Sequence, residues 1–255
     1  MQIRILGCSG GIGGTLRTTS ILINENILID AGTGLGDLSL EALAKIDYIF
    51  LTHSHLDHIA CLPLLVDSVI SMRSHPIQVY ALPETINTLR THIFNWHIWP
   101  DFSEIPSKDH PFMTWHQIEV GKTYTPEIGV SITPLHAEHT VPALGYYIHH
   151  DHAGLVFSGD TCYNPSFWQK LKKLPHLHYL IIETAFANRE RSLAERSKHL
   201  CPSMLAEELQ HFTGEAAVYI THLKPNEMEL IMQEVAIGTA PRHIAMLKNG
   251  HIFEL

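Results

Sequence analysis

The sequence is poor in cysteine and in basic residues, and it has no long apolar run. Its four cysteines are scattered without a CxxC pair, which disfavours a disulfide framework and indicates a reducing compartment. Lysine and arginine number 17 against 26 acidic residues, and the formal charge of −9 disfavours a stable nucleic-acid partner. No apolar run reaches membrane-spanning length, and no signal peptide is evident. We therefore expect a cytoplasmic protein without a membrane partner.

A nucleotide-binding loop of the P-loop type is also missing. The glycine-rich stretch 7–14 follows the first predicted strand, but it lacks the GxGxxG order and the P-loop lysine. Two interpretations stay open for this stretch. It is a tight, flexible turn, or its backbone N–H groups line the floor of a pocket.

Histidine, by contrast, is abundant, with 20 residues in a chain of 255. The segment 52–58 reads Thr-His-Ser-His-Leu-Asp-His and follows an apolar run. Residues two apart in an extended strand end point to the same side, so His53 and His55 can bind one ion together. Asp57 and His58 lie where the chain turns toward a helix and can reach a second ion. Imidazole and carboxylate ligands suit zinc, and also manganese or iron.

Short strand-like runs alternate with helical patterns along the chain. The predicted strands are 3–8, 20–24, 27–30, 48–51, 77–81, 117–120, 130–135, 144–148, 155–158, 179–183, 218–221, 244–247 and 251–255. The predicted helices are 38–45, 59–72, 84–95, 166–173, 203–212 and 226–235. This mixture indicates a layered α/β (α+β) fold. Because no linker or repeat divides it, we expect one domain over residues 1–255.

Three further ligand-type residues each follow a predicted strand in the second half of the chain. They are His139, Asp160 and His222. Each residue alone is more often a cap or a turn residue. The segment 52–58 followed by these three residues, each after a strand, is far more specific for a metal site. The Asp160 carboxylate can bridge two ions, and Gly159 beside it permits a close approach of the backbone.

The order HxHxDH, a lone histidine, SGDT and THLKP resembles the metallo-β-lactamase superfamily over most of the chain. The resemblance implies a four-layer αββα sandwich, with two mixed sheets flanked by helices and a dinuclear metal site along one edge. It also implies two ligand sets that share one bridging carboxylate. These are His53, His55 and His139 for the first ion, Asp57, His58 and His222 for the second, and Asp160 between them.

Two groups within the superfamily share further stretches with this chain. The stretches 92–101, 197–200 and 222–225 are similar to class II cyclic-nucleotide phosphodiesterases. The stretches 139–146 and 183–186 also resemble ribonuclease Z, which processes tRNA 3′ ends. Dimers are common among such relatives, so the resemblance leaves open a homodimer.

Two departures from the ribonuclease pattern favour a small substrate. Only twenty residues separate His139 from Asp160, and we find no basic, glycine- and proline-rich insertion that would form the tRNA-gripping arm of bacterial members. Leu200 and Cys201 replace the serine-threonine pair that follows the corresponding histidine in that group. We therefore expect hydrolysis of 3′,5′-cyclic nucleotides (cyclic AMP or cyclic GMP).

The expected chemistry uses two divalent ions, for which Zn²⁺ is the first choice, to supply a hydroxide nucleophile near neutral pH. Asp57 is expected to accept or orient the proton of the attacking water. His199 is the candidate acid for the leaving alkoxide, with a helix cap as its alternative. Trp96 and Trp99 are candidates for stacking on a purine base, with the filling of an irregular loop as their alternative.

Three other functions remain as alternatives to the phosphodiesterase. One is an RNA 3′-end nuclease of the ribonuclease Z type, although the acidic balance argues against it. Another is a hydrolase of a different ester, such as a lactone or a sulfate ester, because the same hydroxide attacks carbon or sulfur. The last is a metal-binding scaffold without turnover.

Overall fold

A computed structural model describes all 255 residues, from Met1 to Leu255. The strands are β1 (Gln2–Gly7), β2 (Ser20–Ile23), β3 (Ile27–Ile29), β4 (Tyr48–Phe50), β5 (Ile77–Ala81), β6 (Pro106–Ser107), β7 (His110–Pro111), β8 (Met113–Gln117), β9 (Tyr124–Glu127), β10 (Val130–Ala137), β11 (Ala143–His150), β12 (Ala153–Phe157), β13 (Leu177–Glu183), β14 (Ala217–Thr221), β15 (Ile244–Met246) and β16 (Ile252–Glu254). The helices are α1 (Leu40–Leu43), α2 (Leu56–Ile59), α3 (Leu62–Val69), α4 (Pro83–His92), α5 (Pro165–Leu171), α6 (Arg191–Ser197), α7 (Pro202–Leu209) and α8 (Met228–Gly238). Short 3₁₀ helices cover Thr33–Asp37, Ile70–Met72 and Asn188–Glu190.

The strands form two mixed sheets of seven strands each, and β6 and β7 pair separately. The first sheet has the order β16-β1-β2-β3-β4-β5-β8, and its strands run parallel from β3 to β8. The second sheet has the order β15-β14-β13-β12-β11-β10-β9, and its strands run parallel from β12 to β15. The remaining pairs in both sheets are antiparallel.

Alternating side chains of the buried strands pack into different layers. In β3, Ile27 and Ile29 belong to the core between the two sheets, whereas Leu28 belongs to the core under α3 and α4. In β11, Tyr146 faces the inter-sheet core and Tyr147 faces the core under α5, α7 and α8. This two-residue period is what an extended strand dictates. The predicted four-layer αββα sandwich is therefore confirmed.

One local prediction is wrong, and one helix was missed. The strand expected at 117–120 is instead β8, whose Met113 pairs with Ile77 and whose Gln117 pairs with Ala81. Its pattern alternates Met113 and Trp115, which pack on the apolar core, with polar residues. Helix α6 was not predicted, because its only buried residue is Ala194 and no apolar stripe marks it.

None of the helices is both long enough and apolar enough to cross a bilayer. The core between the sheets draws side chains from both halves of the chain, for example Ile5 and Phe157. The expectation of one domain over residues 1–255 stays a prediction.

Candidate metal centre

The seven predicted ligands lie together at one edge of the sandwich, where strands of both sheets end. Strand β4 leads into the segment that carries His53, His55, Asp57 and His58, and α2 begins directly after His55. In the second sheet, β10, β12 and β14 point the same way, since β12 is parallel to β14 through β13 and β10 is related to β12 through β11. The residues beyond their carboxyl ends therefore meet at this edge. These are His139, Asp160 and His222.

The ligand atoms form two groups of four that share Asp160. Within each group, one nitrogen or carboxylate oxygen per residue lies within 4.8 Å of every other. The first group consists of His53, His55, His139 and Asp160, and the second of Asp57, His58, Asp160 and His222. These are the two ligand sets that the resemblance implied.

The Asp160 carboxylate lies between the two groups, with its two oxygens facing different histidines. Oδ2 lies 3.3 Å from His58 Nε2 and 3.7 Å from His53 Nε2, and Oδ1 lies 3.3 Å from His222 Nδ1. Asp160 is 2% exposed, so no bulk water competes for these oxygens. Asp57 lies at the solvent side of the centre, with Oδ2 3.8 Å from His222 Nε2. Its side chain is 30% exposed.

The outer nitrogens of three histidines are occupied by the protein, which fixes the orientation of each ring. Nδ1 of His53 lies 2.9 Å from Thr52 Oγ1, and Nδ1 of His139 donates to the carbonyl oxygen of Lys198 at 3.0 Å. Nδ1 of His58 lies 2.7 Å from Asp30 Oδ2. Such outer partners leave the Nε2 lone pair directed into the centre, as metal-binding histidines require.

Several inward nitrogens have no partner in the protein, which tests whether metal ions fit here. His53 Nε2, His58 Nε2 and His222 Nδ1 are buried without a hydrogen bond. Each such atom costs about 1–3 kcal/mol if nothing binds it. His55 Nδ1 and His139 Nε2 also converge to 3.1 Å. A divalent cation in each group would be bound by these lone pairs, so the residues present fit two ions.

The protonation states of three ligand histidines agree with this fit, whereas burial of His58 is outweighed by the carboxylates of Asp160 and Asp30, which raise its pKa. Burial lowers the pKa of His139 to about 4 and that of His222 to about 3. Burial also holds the pKa of His53 well below its ordinary value. These imidazoles are therefore neutral at pH 7, the state in which a ring nitrogen binds a metal.

The backbone is strained at the same edge. His222 has φ of 62° and Lys198 has φ of 54°, in the left-handed region that non-glycine residues rarely adopt. Gly159 also has a positive φ, and a Cβ there would lie 2.2 Å from the carbonyl oxygen of Leu144. The close approach expected at Gly159 is thus present, and it brings Asp160 between the two sheets.

The sequence reasoning missed the role of Asp30, a fully buried carboxylate at the end of β3. Asp30 accepts hydrogen bonds from the Thr52 backbone N–H at 2.7 Å and from the Thr52 hydroxyl at 2.8 Å. Its Oδ2 also binds His58 Nδ1. Asp30 therefore positions the second ligand group. A charged residue directly after an apolar strand was the available signal.

Glu183 is a second fully buried carboxylate whose role the sequence reasoning missed. It ends β13 and accepts the Nδ1 proton of His199 at 2.7 Å. The backbone N–H groups of Thr161 and Leu200 donate to the same carboxylate at 3.1 and 3.3 Å. Glu183 thereby links His199 to the segment that carries Asp160.

His199 lies against the ligands but belongs to neither group. Its ring stacks on that of His222 at 5.2 Å and meets that of His139 edge-on at 4.9 Å. Burial alone would lower the pKa of His199, but the charge and hydrogen bond of Glu183 outweigh it and raise the pKa. The capping alternative is wrong, because Cys201 precedes the first turn of α7 and the His199 side chain binds Glu183.

The two predicted substrate-binding tryptophans lie on the segment after α4. Trp96 is 60% exposed, and its backbone N–H donates to the Trp99 carbonyl at 3.0 Å. Trp99 packs against the apolar core of the first sheet, and its Nε1 is buried without a partner. Neither ring stacks on a histidine of the centre, so their role in binding stays a prediction.

The glycine-rich loop packs beside the centre as a turn. The N–H groups of Ser9 and Gly10 donate to the carbonyls of Arg17 and Leu223, at 2.9 and 3.0 Å. These two groups are therefore not free to line a pocket floor. The backbone carbonyl of Cys8 accepts the N–H of His222 at 2.8 Å and so anchors that ligand.

Comparison with known proteins gives relatives in two enzyme groups. A probable 3′,5′-cyclic-nucleotide phosphodiesterase of Yersinia pestis is 23% identical over 297 residues, covering 93% of this chain and 84% of that protein. A ribonuclease Z of Clostridium beijerinckii is 32% identical over 157 residues, covering 57% of this chain but only 48% of that protein. The crystal structure of unliganded yeast PDE1 has a TM-score of 0.80 at 19% identity, covering 100% of this chain and 99% of that chain.

The family itself is shown by a match along most of the chain. The model of the beta-lactamase superfamily domain matches residues 25–237, which include all seven predicted ligands. The two ligand groups described above lie at the edge of a metallo-β-lactamase fold. The chain therefore belongs to the beta-lactamase superfamily and is a metal-dependent hydrolase of that fold.

Proposed function

We propose that the protein is a dinuclear phosphodiesterase that hydrolyses 3′,5′-cyclic nucleotides, with cyclic AMP and cyclic GMP as the candidate substrates. The observation that carries the proposal is the pair of four-residue groups that share Asp160. Two divalent ions held by such groups would supply a hydroxide nucleophile near neutral pH and would offset the negative charge that develops on the phosphoryl oxygens. We take Zn²⁺ as the first choice of ion, since imidazole and carboxylate ligands suit it, with manganese and iron as alternatives.

We assign metal binding and the orientation of the attacking water to different residues of the centre. His53, His55 and His139 would hold one ion, Asp57, His58 and His222 the other, and Asp160 would contact both. Asp57 is the more exposed of the two ligand carboxylates, and its position at the solvent side suits it to orient the attacking water. Two divalent ions outweigh the charges of Asp57 and Asp160. The local field therefore suits a phosphodiester anion, although the whole chain carries −9.

His199 is the proposed proton donor to the leaving alkoxide. Its Nδ1 proton is committed to Glu183, and Nε2 makes no hydrogen bond within the chain. The hydrogen bond to Glu183 fixes the His199 ring and stabilises its protonated form. This is the form that a general acid needs in order to donate a proton. Because the ring lies against His139 and His222, a leaving oxygen at the centre would be near it.

A small substrate is favoured over tRNA by charge and by the shape of the second sheet. The loop between β11 and β12 is a short turn at Asp151 and His152, so no arm emerges there. One relative that aligns along nearly the whole chain is the probable 3′,5′-cyclic-nucleotide phosphodiesterase of Yersinia pestis. Trp96, which is exposed, remains the proposed stacking partner for a purine base. We propose no stable nucleic-acid partner, and a homodimer stays open.

A ribonuclease Z-like nuclease is the second candidate function. It is favoured by the higher identity, 32%, to the Clostridium beijerinckii enzyme over 57% of this chain. The same two ligand groups would serve an RNA phosphodiester as well as a cyclic one. Hydrolysis of a lactone or a sulfate ester is a third possibility for this centre.

One substrate panel separates these functions. Zinc- and manganese-loaded protein is incubated with cyclic AMP, cyclic GMP, bis(p-nitrophenyl) phosphate, a precursor tRNA, a lactone and an aryl sulfate. Turnover of a cyclic nucleotide, with a kcat/KM above that for every other substrate, is the expected result. Cleavage of the precursor tRNA at its 3′ end without turnover of cyclic nucleotides would reject the proposal in favour of the nuclease.

A further inference from the structure

Lys224 places a positive charge at the wall of the metal centre. It lies two residues after His222, and its Nζ donates to the Gly10 carbonyl at 2.8 Å. The ammonium also lies 5.9 Å from the centroid of the Phe186 ring. The side chain is partly buried, so these two contacts hold the charge in one place.

Both neighbours of the ammonium are in turn packed on the histidines of the centre. A Cβ on Gly10 would lie 3.0 Å from His222 Cδ2, and the Phe186 ring lies 5.7 Å from that of His199. The ammonium therefore lies within electrostatic range of both rings.

Lys224 is partly buried but has no acidic partner, unlike two other basic residues close to this edge, Arg17 and Lys198. Arg17 pairs with Asp37 at 2.9 Å, and Lys198 pairs with Glu138. No carboxylate lies within 4.0 Å of Lys224, which is absent from the ion pairs of the chain. A partly buried cation beside a site for two divalent cations is unfavourable unless an anion binds there too.

We propose that Lys224 is a substrate-binding residue whose ammonium donates a hydrogen bond to an anionic, non-bridging oxygen of the phosphodiester. An ammonium has three donors, and the Gly10 carbonyl takes one, so two remain for the substrate. This inference rests on the proposed function, since it assigns the ligand of the same centre. The class of ligand is a phosphate ester or inorganic phosphate.

The competing account is that Lys224 only tethers the glycine-rich loop to the segment after β14. A tether would act equally on every ligand and would not depend on charge. The test therefore compares Lys224→Met, which removes the charge, with Lys224→Arg, which keeps it. Lys224→Gln keeps a donor for Gly10 without the charge. Lys248→Met is the matched control, because Lys248 is exposed at the same edge and has no ion pair.

The first measurement is kcat/KM for bis(p-nitrophenyl) phosphate with zinc-loaded protein, and metal content is determined for each variant. A charge-assisted hydrogen bond accounts for roughly tenfold to hundredfold, so Lys224→Met and Lys224→Gln should both lose about that much at unchanged metal content. Lys224→Arg should recover most of the loss, and Lys248→Met should resemble the wild type.

The second measurement is the affinity of the same proteins for inorganic phosphate by titration calorimetry, which needs no turnover. The proposal expects Lys224→Met and Lys224→Gln to bind phosphate at least about tenfold more weakly than the wild type. Wild-type phosphate affinity in Lys224→Gln at full metal content would overturn it. If the wild type binds phosphate but cleaves no phosphodiester, the proposed function fails, while calorimetry still decides the role of Lys224.

Discussion

The two sheets each place a buried carboxylate behind a histidine of the centre, but the two histidines have different surroundings. In the first sheet, Asp30 binds Nδ1 of His58 at 2.7 Å, and in the second sheet Glu183 binds Nδ1 of His199 at the same distance. Both carboxylates are fully buried and also accept backbone N–H groups. Because these contacts are alike, the difference between the two histidines lies at the second ring nitrogen, Nε2.

The surroundings of Nε2 differ between His58 and His199. His58 Nε2 is buried without a partner, 3.3 Å from Asp160, as a metal ligand would be. Nε2 of His199 has no such carboxylate contact, and its ring stacks on a ligand, His222. The same carboxylate–histidine pair thus supports metal binding in one sheet and, by our proposal, proton transfer in the other. Variants should separate these two roles.

The largest effect is expected where the two sheets meet, at Asp160. Asp160→Ala removes the carboxylate common to both ligand groups, so both ions should be lost. Turnover should then fall to background, beyond the roughly 100- to 10,000-fold loss of a proton donor alone. Metal content after dialysis, measured by plasma mass spectrometry, checks the prediction. Asp151→Ala, on the exposed turn before β12, is the control, and two retained equivalents in Asp160→Ala would contradict a bridging role.

The second prediction concerns the pair in the second sheet. His199→Ala should slow turnover by roughly 100- to 10,000-fold, because the leaving alkoxide loses its acid, while both metal equivalents are retained. Glu183→Gln should have an effect of the same kind but smaller, since the ring remains. Steady-state kinetics beside metal analysis give the answer. Unchanged kcat in His199→Ala would leave the ring only a packing role.

The third prediction concerns the pair in the first sheet. Asp30→Asn keeps the shape of the side chain but removes the charge behind His58, so the affinity for the second ion should fall about 10- to 100-fold. Competition with a chromophoric chelator measures that affinity for each of the two ions. The comparison between the sheets fails if Asp30→Asn binds both ions normally and loses only turnover, as expected for Glu183→Gln.

The smallest effect is expected for a third carboxylate, Asp47, which lies at the opposite end of β4 from the metal centre. Asp47 binds Arg73 and His75, each at 2.7 Å, with no ligand group nearby. Partial burial raises the pKa of Asp47, but the hydrogen bonds and charges of Arg73 and His75 outweigh it and hold the pKa below its ordinary value. The ionised carboxylate therefore stabilises the folded state above the unfolded pKa of about 3.9.

Asp47→Asn should accordingly lower the free energy of unfolding at pH 7 by at most about 1 kcal/mol, because the carboxylate is partly exposed and screened. The difference from wild type should shrink as the pH falls below about 4 and vanish once the folded carboxylate is protonated. Urea unfolding at several pH values measures it. A difference that grows in acid, or a loss of bound metal, would contradict this assignment.

The sequence was most informative where the chemistry is local. His53, His55, Asp57 and His58 could be assigned together because one strand end and one helix start bring them to the same place. The more distant ligands could be assigned by their order along the chain and by their positions after strands. Short continuous apolar runs were sufficient to predict the buried strands, because the sheets are covered on both faces.

Residues that depend on contacts across the fold could not be assigned in this way. Asp30 lies 28 positions before His58, and Glu183 lies 16 positions before His199, so only the packed sheets show that each pair is bonded. The position of the Lys224 ammonium likewise depends on its hydrogen bond to Gly10, which lies 214 positions away. Trp99 is an opposite case, because its role could be guessed but not decided. An aromatic ring can pack in an apolar core or stack on a purine base, and the sequence does not distinguish the two.

The most direct test of the account is an anomalous diffraction map from crystals of the wild-type protein grown with zinc. The account predicts two peaks about 3.5–4 Å apart at the edge of the sandwich, with Asp160 in contact with both. Each should lie about 2.0–2.2 Å from the nitrogens and oxygens of its own group. A single peak, or two peaks that do not share Asp160, would contradict a dinuclear centre.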